Sequence, residues 1–92
     1  MKIIDGFTIK KIGNDTIALY AGGDVVDMTV GIELNPVAEL LFTALLTETT
    51  EEMLEKLLLD NYDITPERAR NDIASFVKEL TNKGLLTNNE KQ

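Results

Sequence analysis

The side chains that usually carry enzymatic chemistry are scarce in this 92-residue chain. It has no cysteine and no histidine. It therefore offers neither a thiolate nucleophile nor an imidazole base, and the usual zinc, iron–sulfur and haem sites are excluded. Ser75 is its only serine, and no base is available to activate it. We expect a protein that is not an enzyme and that needs no cofactor.

Carboxylates are abundant, but their spacing matches no calcium loop, and no glycine-rich phosphate loop is present. The net charge is −7, and residues 36–64 contribute −6 of it, from seven carboxylates and one lysine. Such a chain repels phosphate backbones, so we expect no nucleic-acid partner. We interpret Glu51, Glu52 and Glu55 as a solvated helix face. The alternative is a docking surface for a basic patch on a partner enzyme.

Alternating apolar and polar residues predict three strands. Phe7–Lys10 and residues 16–21 are joined by turn residues at 13–15 and form a hairpin. The third strand, Met28–Leu34, has the clearest alternation, with Met28, Val30, Ile32 and Leu34 on one face and Asp27, Thr29, Gly31 and Glu33 on the other. Glycine inside a strand marks either a bulge or a place where another backbone approaches closely, and Gly31 fits both interpretations.

Three helices follow. The first begins at Asn35-Pro36 and runs to about Thr47, and its apolar residues cover most of its circumference, which predicts a buried helix. A capping box, with Thr49 as the cap and Glu52 bonding back, starts the second. The third begins at Thr65-Pro66, carries an apolar stripe and ends at Gly84.

These elements predict an α+β fold of winged helix-turn-helix type, in which a three-stranded antiparallel sheet is followed by three helices. We expect one domain over residues 1–87 and a flexible tail over 88–92. No signal-peptide-like segment or membrane-spanning apolar run is present, which predicts a soluble cytoplasmic protein with no membrane partner.

The order and spacing of several short motifs resemble the PqqD family, whose members are also described as RiPP recognition elements. The resemblance extends from about Asp5 to Leu86. It rests on Gly6-Phe7, Ile32-Glu33-Leu34-Asn35, Thr50-Glu51-Glu52, Tyr62-Asp63, Asp72-Ile73, Phe76 through Leu80 and Gly84-Leu85-Leu86. Pro36-Val37 departs from the small or acidic residue that often follows Leu-Asn in this family.

The resemblance implies a peptide chaperone. Family members bind the leader segment of a ribosomally made precursor peptide and present it to a modifying enzyme, often a radical SAM maturase. The leader adds as an antiparallel strand to the third strand and lies in a groove against the third helix, a mode known as β-augmentation. The partners implied are therefore a precursor peptide and a modifying enzyme.

The predicted peptide-binding residues lie on the third strand and on one flank of the third helix. They are Met28, Thr29, Val30, Gly31, Ile32, Glu33 and Leu34, together with Arg70, Ala74, Val77 and Lys78. We favour this helix flank because it is part apolar and part basic, which suits an amphipathic, acidic leader. Asp72, Ser75 and Glu79 form the opposite flank. Ile73, Phe76 and Leu80 are expected in the core.

Two other functions fit the same elements. A winged-helix DNA-binding regulator would insert its third helix into the major groove, but Glu67, Asp72 and Glu79 interrupt the basic residues of that helix. The second alternative is an interaction or regulatory domain that binds no small peptide. The free strand edge could also close a homodimer or exchange strands between two copies.

Overall fold

The secondary structure follows the predicted order, with two short strands added. A computed structural model describes residues 1–20 and 31–87. Their elements, in chain order, are β1 (Lys2–Ile3), β2 (Phe7–Ile12), β3 (Asp15–Tyr20), β4 (Gly31–Leu34), α1 (Pro36–Ala44), α2 (Glu51–Asn61), α3 (Pro66–Asn82) and β5 (Leu86–Thr87). The predicted tail, 88–92, lies outside the described residues.

The main sheet has the antiparallel order β2-β3-β4, which confirms the predicted three-stranded sheet. β2 and β3 are joined through Gly13-Asn14, and Gly13 has a φ of 63° while Asn14 does not have a positive φ. Glycine at the first of two turn positions is the signature of a type II′ hairpin. Of the predicted third strand, Gly31–Leu34 forms β4, whereas Met28, Thr29 and Val30 lie outside the described residues.

A second, two-stranded sheet was not predicted. β1 pairs with β5, so that Lys2 lies opposite Thr87 and Ile3 opposite Leu86. Each strand has two residues, which is too short for alternation to be detected. Their pairing brings the two ends of the described chain together over the core.

The sheet turns one face towards the helices. On that face Ala18 is fully buried, and it lies opposite Ile32 in the register of β3 and β4. Ile17 lies opposite Glu33 on the other face, where it is partly exposed. The predicted apolar face of the third strand is therefore confirmed for Ile32 and Leu34.

The helix starts follow the predicted caps, with one correction. The Asn35 side chain accepts a hydrogen bond from the Ala38 N–H at 2.7 Å, as expected for α1. In α2, however, the cap is Thr50, whose hydroxyl oxygen accepts from the Met53 N–H at 3.2 Å. The predicted capping box of Thr49 and Glu52 was therefore wrong. Thr49 is buried, and its N–H instead donates to the Met1 carbonyl.

The ends of the helices also differ in part from the predictions. α1 stops at Ala44, earlier than the predicted end near Thr47. α3 begins after Thr65 and ends before Gly84, both as predicted, and Gly84 has a φ of 74°, which favours glycine.

The core lies between the sheet and the helices. Phe42 of α1 is completely buried and contacts Phe7 edge to face, with ring centroids 5.3 Å apart. Leu54 and Leu58 of α2 and Ile73 of α3 are also essentially inaccessible to solvent. In the part of the chain that the structure describes, no helix is both long and apolar enough to cross a membrane.

Candidate functional site

The edge of the main sheet at β4 is the first component of the candidate site. Within residues 1–20 and 31–87, β4 pairs with β3 on one side and with no strand on the other. A strand edge exposes backbone N–H and C=O groups that can pair with another chain. Which residues of β4 expose these groups follows from the register.

The turn between β2 and β3 sets the hydrogen-bond pattern of the sheet. In a two-residue hairpin the closing pair, here Ile12 and Asp15, is a hydrogen-bonded pair. Hydrogen-bonded and non-hydrogen-bonded pairs then alternate along the strands. Thr16 and Ala18 consequently direct their N–H and C=O groups away from β2 and towards β4.

The outward-pointing backbone groups of β4 therefore belong to Gly31 and Glu33. Leu34 lies opposite Thr16, and Ile32 lies opposite Ala18, so both direct their backbone groups towards β3. Gly31 and Glu33 alternate with them and direct theirs away from the sheet. An added strand would find its hydrogen-bond partners at these two residues.

Gly31 lies in regular strand and not in a bulge. The pairing runs without interruption from Leu34 to Gly31, and Gly31 has no positive φ. A Cβ atom at this position would lie 3.4 Å from the Leu19 Cδ2 and 3.7 Å from the Ile17 Cγ2, which are ordinary contacts. The fold of the isolated chain therefore does not require glycine here. Of the two interpretations of Gly31, the bulge is excluded, and the close approach of another backbone is retained.

A groove beside β4 is the second component. It has a volume of about 410 Å³ and lies between β4, the start of α1 and one face of α3. Its floor is apolar, and its rim carries charged and polar side chains. The lining residues are Ile32, Glu33, Leu34, Asn35, Val37, Ala38, Leu41, Arg68, Asp72, Ser75, Phe76, Glu79, Leu80 and Lys83.

The floor of the groove is continuous with the core. Leu41 and Leu80 are almost completely buried, whereas Val37 and Phe76 are partly accessible. Phe76 is the largest of the partly accessible apolar groups that line the groove. It was expected to be a core residue, and the structure gives it both a core contact and a groove-facing position.

The α3 side of the groove is formed by residues at helical spacings of three and four. Arg68, Asp72, Ser75, Glu79 and Lys83 follow one another along this face. Two ion pairs lie within it, Arg68 with Asp72 at 3.4 Å and Lys83 with Glu79 at 3.9 Å.

The flank of α3 that the sequence favoured does not line this groove. Arg70 points to α2, where its guanidinium contacts Glu55 at 3.1 Å. Val77 packs against the core, Ala74 is exposed, and Lys78 lies on the adjoining surface. α2 packs against α3, and the buried Ala69, Ile73 and Leu80 fix the rotation of the helix. This rotation turns the opposite flank towards β4.

The groove residues that sequence reasoning missed are Arg68, Lys83, Asn35, Val37, Ala38 and Leu41. A signal for the first two was present, because they extend the opposite flank, Asp72, Ser75 and Glu79, by one turn at each end. The α1 residues gave no such signal, since their pattern is that of a helix buried on most sides.

An open strand edge beside an apolar groove defines the class of small domains that can accept an extended peptide as an additional strand. Residues 16–86 match the family model described as Coenzyme PQQ synthesis protein D (PqqD). This match covers most of the chain, and the chain belongs to the PqqD family, as its motifs predicted.

The fold is also similar to that of a solved structure, TbiB1 in complex with the TbiA(beta) leader peptide. The two share 20% sequence identity with a TM-score of 0.75, and the similarity covers 99% of this chain and 100% of that chain. At this level of identity the likeness establishes the fold alone. A comparison with curated proteins found no match.

Proposed function

We propose that this chain is a peptide chaperone for a ribosomally made precursor peptide. It binds the leader segment by β-strand addition at β4 and presents the peptide to a modifying enzyme, such as a radical SAM maturase. The observation that carries this proposal is the pair of outward-pointing backbones, Gly31 and Glu33, at the edge of an apolar groove. Membership of the PqqD family and the leader peptide bound to TbiB1 in the similar structure support it.

In strand addition, backbone hydrogen bonds and side-chain contacts contribute differently to peptide recognition. The N–H and C=O groups of Gly31 and Glu33 would bond the leader backbone and supply affinity that depends little on sequence. Alternate leader side chains would point towards α3 and reach the floor around Phe76 and Val37. The hydrophobic effect on this floor, at about 25 cal/mol per Å² of buried apolar area, would supply sequence preference.

In this proposal the chain itself catalyses nothing, and the chemistry belongs to the modifying enzyme. Such an enzyme needs a surface of the chaperone that the leader leaves free. The acidic face of α2, which carries Glu51 and Glu52, is separate from the groove and would suit a basic partner surface. Weakening of enzyme binding by added salt would support this use of α2, and an affinity indifferent to salt would contradict it.

The β4 edge could also pair with a second copy of the chain. Peptide binding and self-association through this edge would then exclude each other. A saturating leader peptide should in that case convert dimers into monomers, which sedimentation velocity would detect.

No observation favours the DNA-binding alternative. The groove-facing side of α3 carries Asp72 and Glu79 between Arg68 and Lys83, and these carboxylates would repel a phosphate backbone. Neither the family match nor the similar structure supports DNA binding. We expect no specific shift of DNA in a gel at physiological salt.

Binding of a labelled leader peptide tests the proposed function. Short peptides encoded next to this chain would be synthesised, labelled with fluorescein and titrated with the protein while anisotropy is measured. Phe76→Ala should weaken binding at least about tenfold, because it removes the partly accessible aromatic side chain of the groove floor. Met53→Ala is the matched control, since Met53 is an exposed apolar residue on α2 that does not line the groove.

Circular dichroism would establish that both variants are folded. If Phe76→Ala and Met53→Ala bind the peptide equally well, the groove is not the peptide site and the proposal fails.

A further inference from the structure

The groove face of α3 carries both positive and negative side chains, in a fixed order along the helix. Reading along the helix, the charges are positive at Arg68, negative at Asp72, absent at Ser75, negative at Glu79 and positive at Lys83. The cations thus lie at the two ends of the groove, and the carboxylates lie towards its centre. Each cation is paired with the neighbouring carboxylate.

These ion pairs orient the cations without neutralising them for a ligand. The Arg68 side chain retains 67% of its accessible surface and the Lys83 side chain 46%. Each cation can therefore bind a second carboxylate. Its ion pair with Asp72 or Glu79 holds its side chain beside the groove.

For a peptide that runs along α3, the distance between the cations corresponds to a definite number of extended residues. Lys83 follows Arg68 by fifteen positions, which corresponds to about 22 Å along the helix axis at a rise of about 1.5 Å per residue. An extended chain covers the same distance in roughly six to seven residues, at about 3.3 Å each. Because alternate side chains of a strand share a face, two residues separated by six positions would both point towards α3.

We infer that the groove selects leader segments with the order acidic–x–apolar–x–apolar–x–acidic. Arg68 and Lys83 are the specificity-determining residues for the two acidic positions. The inference rests on the proposed function and deepens it, because it names the kind of peptide that β4 and α3 accept together.

The centre of the groove supports the same order. Asp72 and Glu79 repel acidic residues of the peptide there, while Phe76 offers an apolar contact. Acidic residues are consequently favoured at the two ends and disfavoured between them. The sequence-based choice of the Arg70 and Lys78 flank suited an amphipathic, acidic leader but assigned no positions to its acidic residues.

The charge order is the same when it is read from either end of α3. Charge alone therefore sets the register of the peptide in the groove but not its direction. The direction must come from the hydrogen bonds with Gly31 and Glu33, whose spacing differs between parallel and antiparallel pairing.

Selection from a displayed library of random linear peptides, with the full chain as bait, tests this inference. We expect enrichment of peptides with two acidic residues about six positions apart and apolar residues between them. Replacing either acidic residue of an enriched peptide by lysine should weaken binding about 1.5- to 5-fold, the range for exposed ion pairs.

Arg68→Glu should reverse the preference at one acidic position only, so that the lysine-substituted peptide binds better than the original. Lys56→Glu is the matched control, because it makes the same change in net charge on α2, where Lys56 pairs with Asp60. It should leave both preferences unchanged. Circular dichroism would confirm that both variants are folded.

The outcomes separate this inference from the proposed function. Enriched peptides that depend on Phe76 but show no acidic pair would overturn the inference and leave the proposed function intact. An equal effect of Arg68→Glu and Lys56→Glu would overturn it as well. Failure to enrich any peptide that depends on Phe76 would count against both.

Discussion

The N–H group of Glu33 allows strand addition to be tested at a single hydrogen bond. Glu33→Pro removes this donor, which points away from the sheet, and leaves the bonds of Ile32 and Leu34 to β3 in place. Proline is tolerated on edge strands where the missing N–H faces outwards. We therefore expect the variant to fold and to bind its leader peptide more weakly.

The expected loss follows from the cost of an unmade hydrogen bond. The peptide carbonyl that Glu33 would bond is left without its partner, which costs about 1–3 kcal/mol. The dissociation constant should accordingly rise by roughly 5- to 150-fold. Fluorescence anisotropy with a labelled leader peptide would measure this change, and thermal unfolding would establish that the variant is folded.

Two further variants make the result interpretable. Glu33→Gln removes the charge and keeps the N–H, so its affinity should stay near that of the parent chain. Ile32→Pro, by contrast, removes a bond to β3 and should lower the stability of the fold itself. Equal affinities of Glu33→Pro and Glu33→Gln, with both folded, would refute β-strand addition at β4.

Three other predictions concern the fold on which the site depends. Phe42→Ala should lower the free energy of unfolding by about 3–5 kcal/mol, because Phe42 is fully buried, and chemical denaturation would measure it. Thr50→Ala should lower the free energy of unfolding by about 1 kcal/mol, because it removes the N-cap of α2, whereas Glu52→Gln should lower it little. Equal losses for the two variants in chemical denaturation would contradict the assignment of Thr50 as the cap. Gly31→Ala should raise stability by about 0.5–1 kcal/mol, since its Cβ makes only ordinary contacts, and a drop in melting temperature would contradict this.

The elements that the sequence predicted well are those whose signals are local. Asn35 and Thr65 cap their helices, and Gly84 ends the last one, because each interaction involves residues a few positions apart. The alternation of Ile32 and Leu34 was equally direct, since period two permits only one assignment of faces.

The features that the sequence did not predict depend on contacts between distant segments. β1 and β5 form only because residues far apart in the chain meet. The N-cap of α2 is Thr50 and not the predicted Thr49, because the Thr49 N–H donates a hydrogen bond to the Met1 carbonyl. No local sequence pattern reveals this contact. The sequence pattern therefore predicted the helix correctly but its N-cap one residue too early.

The choice of helix flank also depends on contacts between distant segments, and the structure places the flank opposite to the favoured one along the groove. Both flanks of α3 border the apolar stripe, and the sequence alone does not say which of them faces β4. The packing of α2 against α3 decides it, through the buried Ala69 and Ile73 and the contact between Arg70 and Glu55. On the strand side, the order β2-β3-β4 places β4 at an edge of the sheet that the described residues form.

Amide hydrogen exchange of β4 tests the central claim most directly. In the free chain the N–H groups of Ile32 and Leu34 are bonded to β3, whereas those of Gly31 and Glu33 point away from the sheet. With a saturating leader peptide, exchange at Gly31 and Glu33 should slow strongly while Ile32 and Leu34 keep the protection they already have. Peptide binding that leaves exchange at both Gly31 and Glu33 unchanged would contradict β-strand addition at this edge.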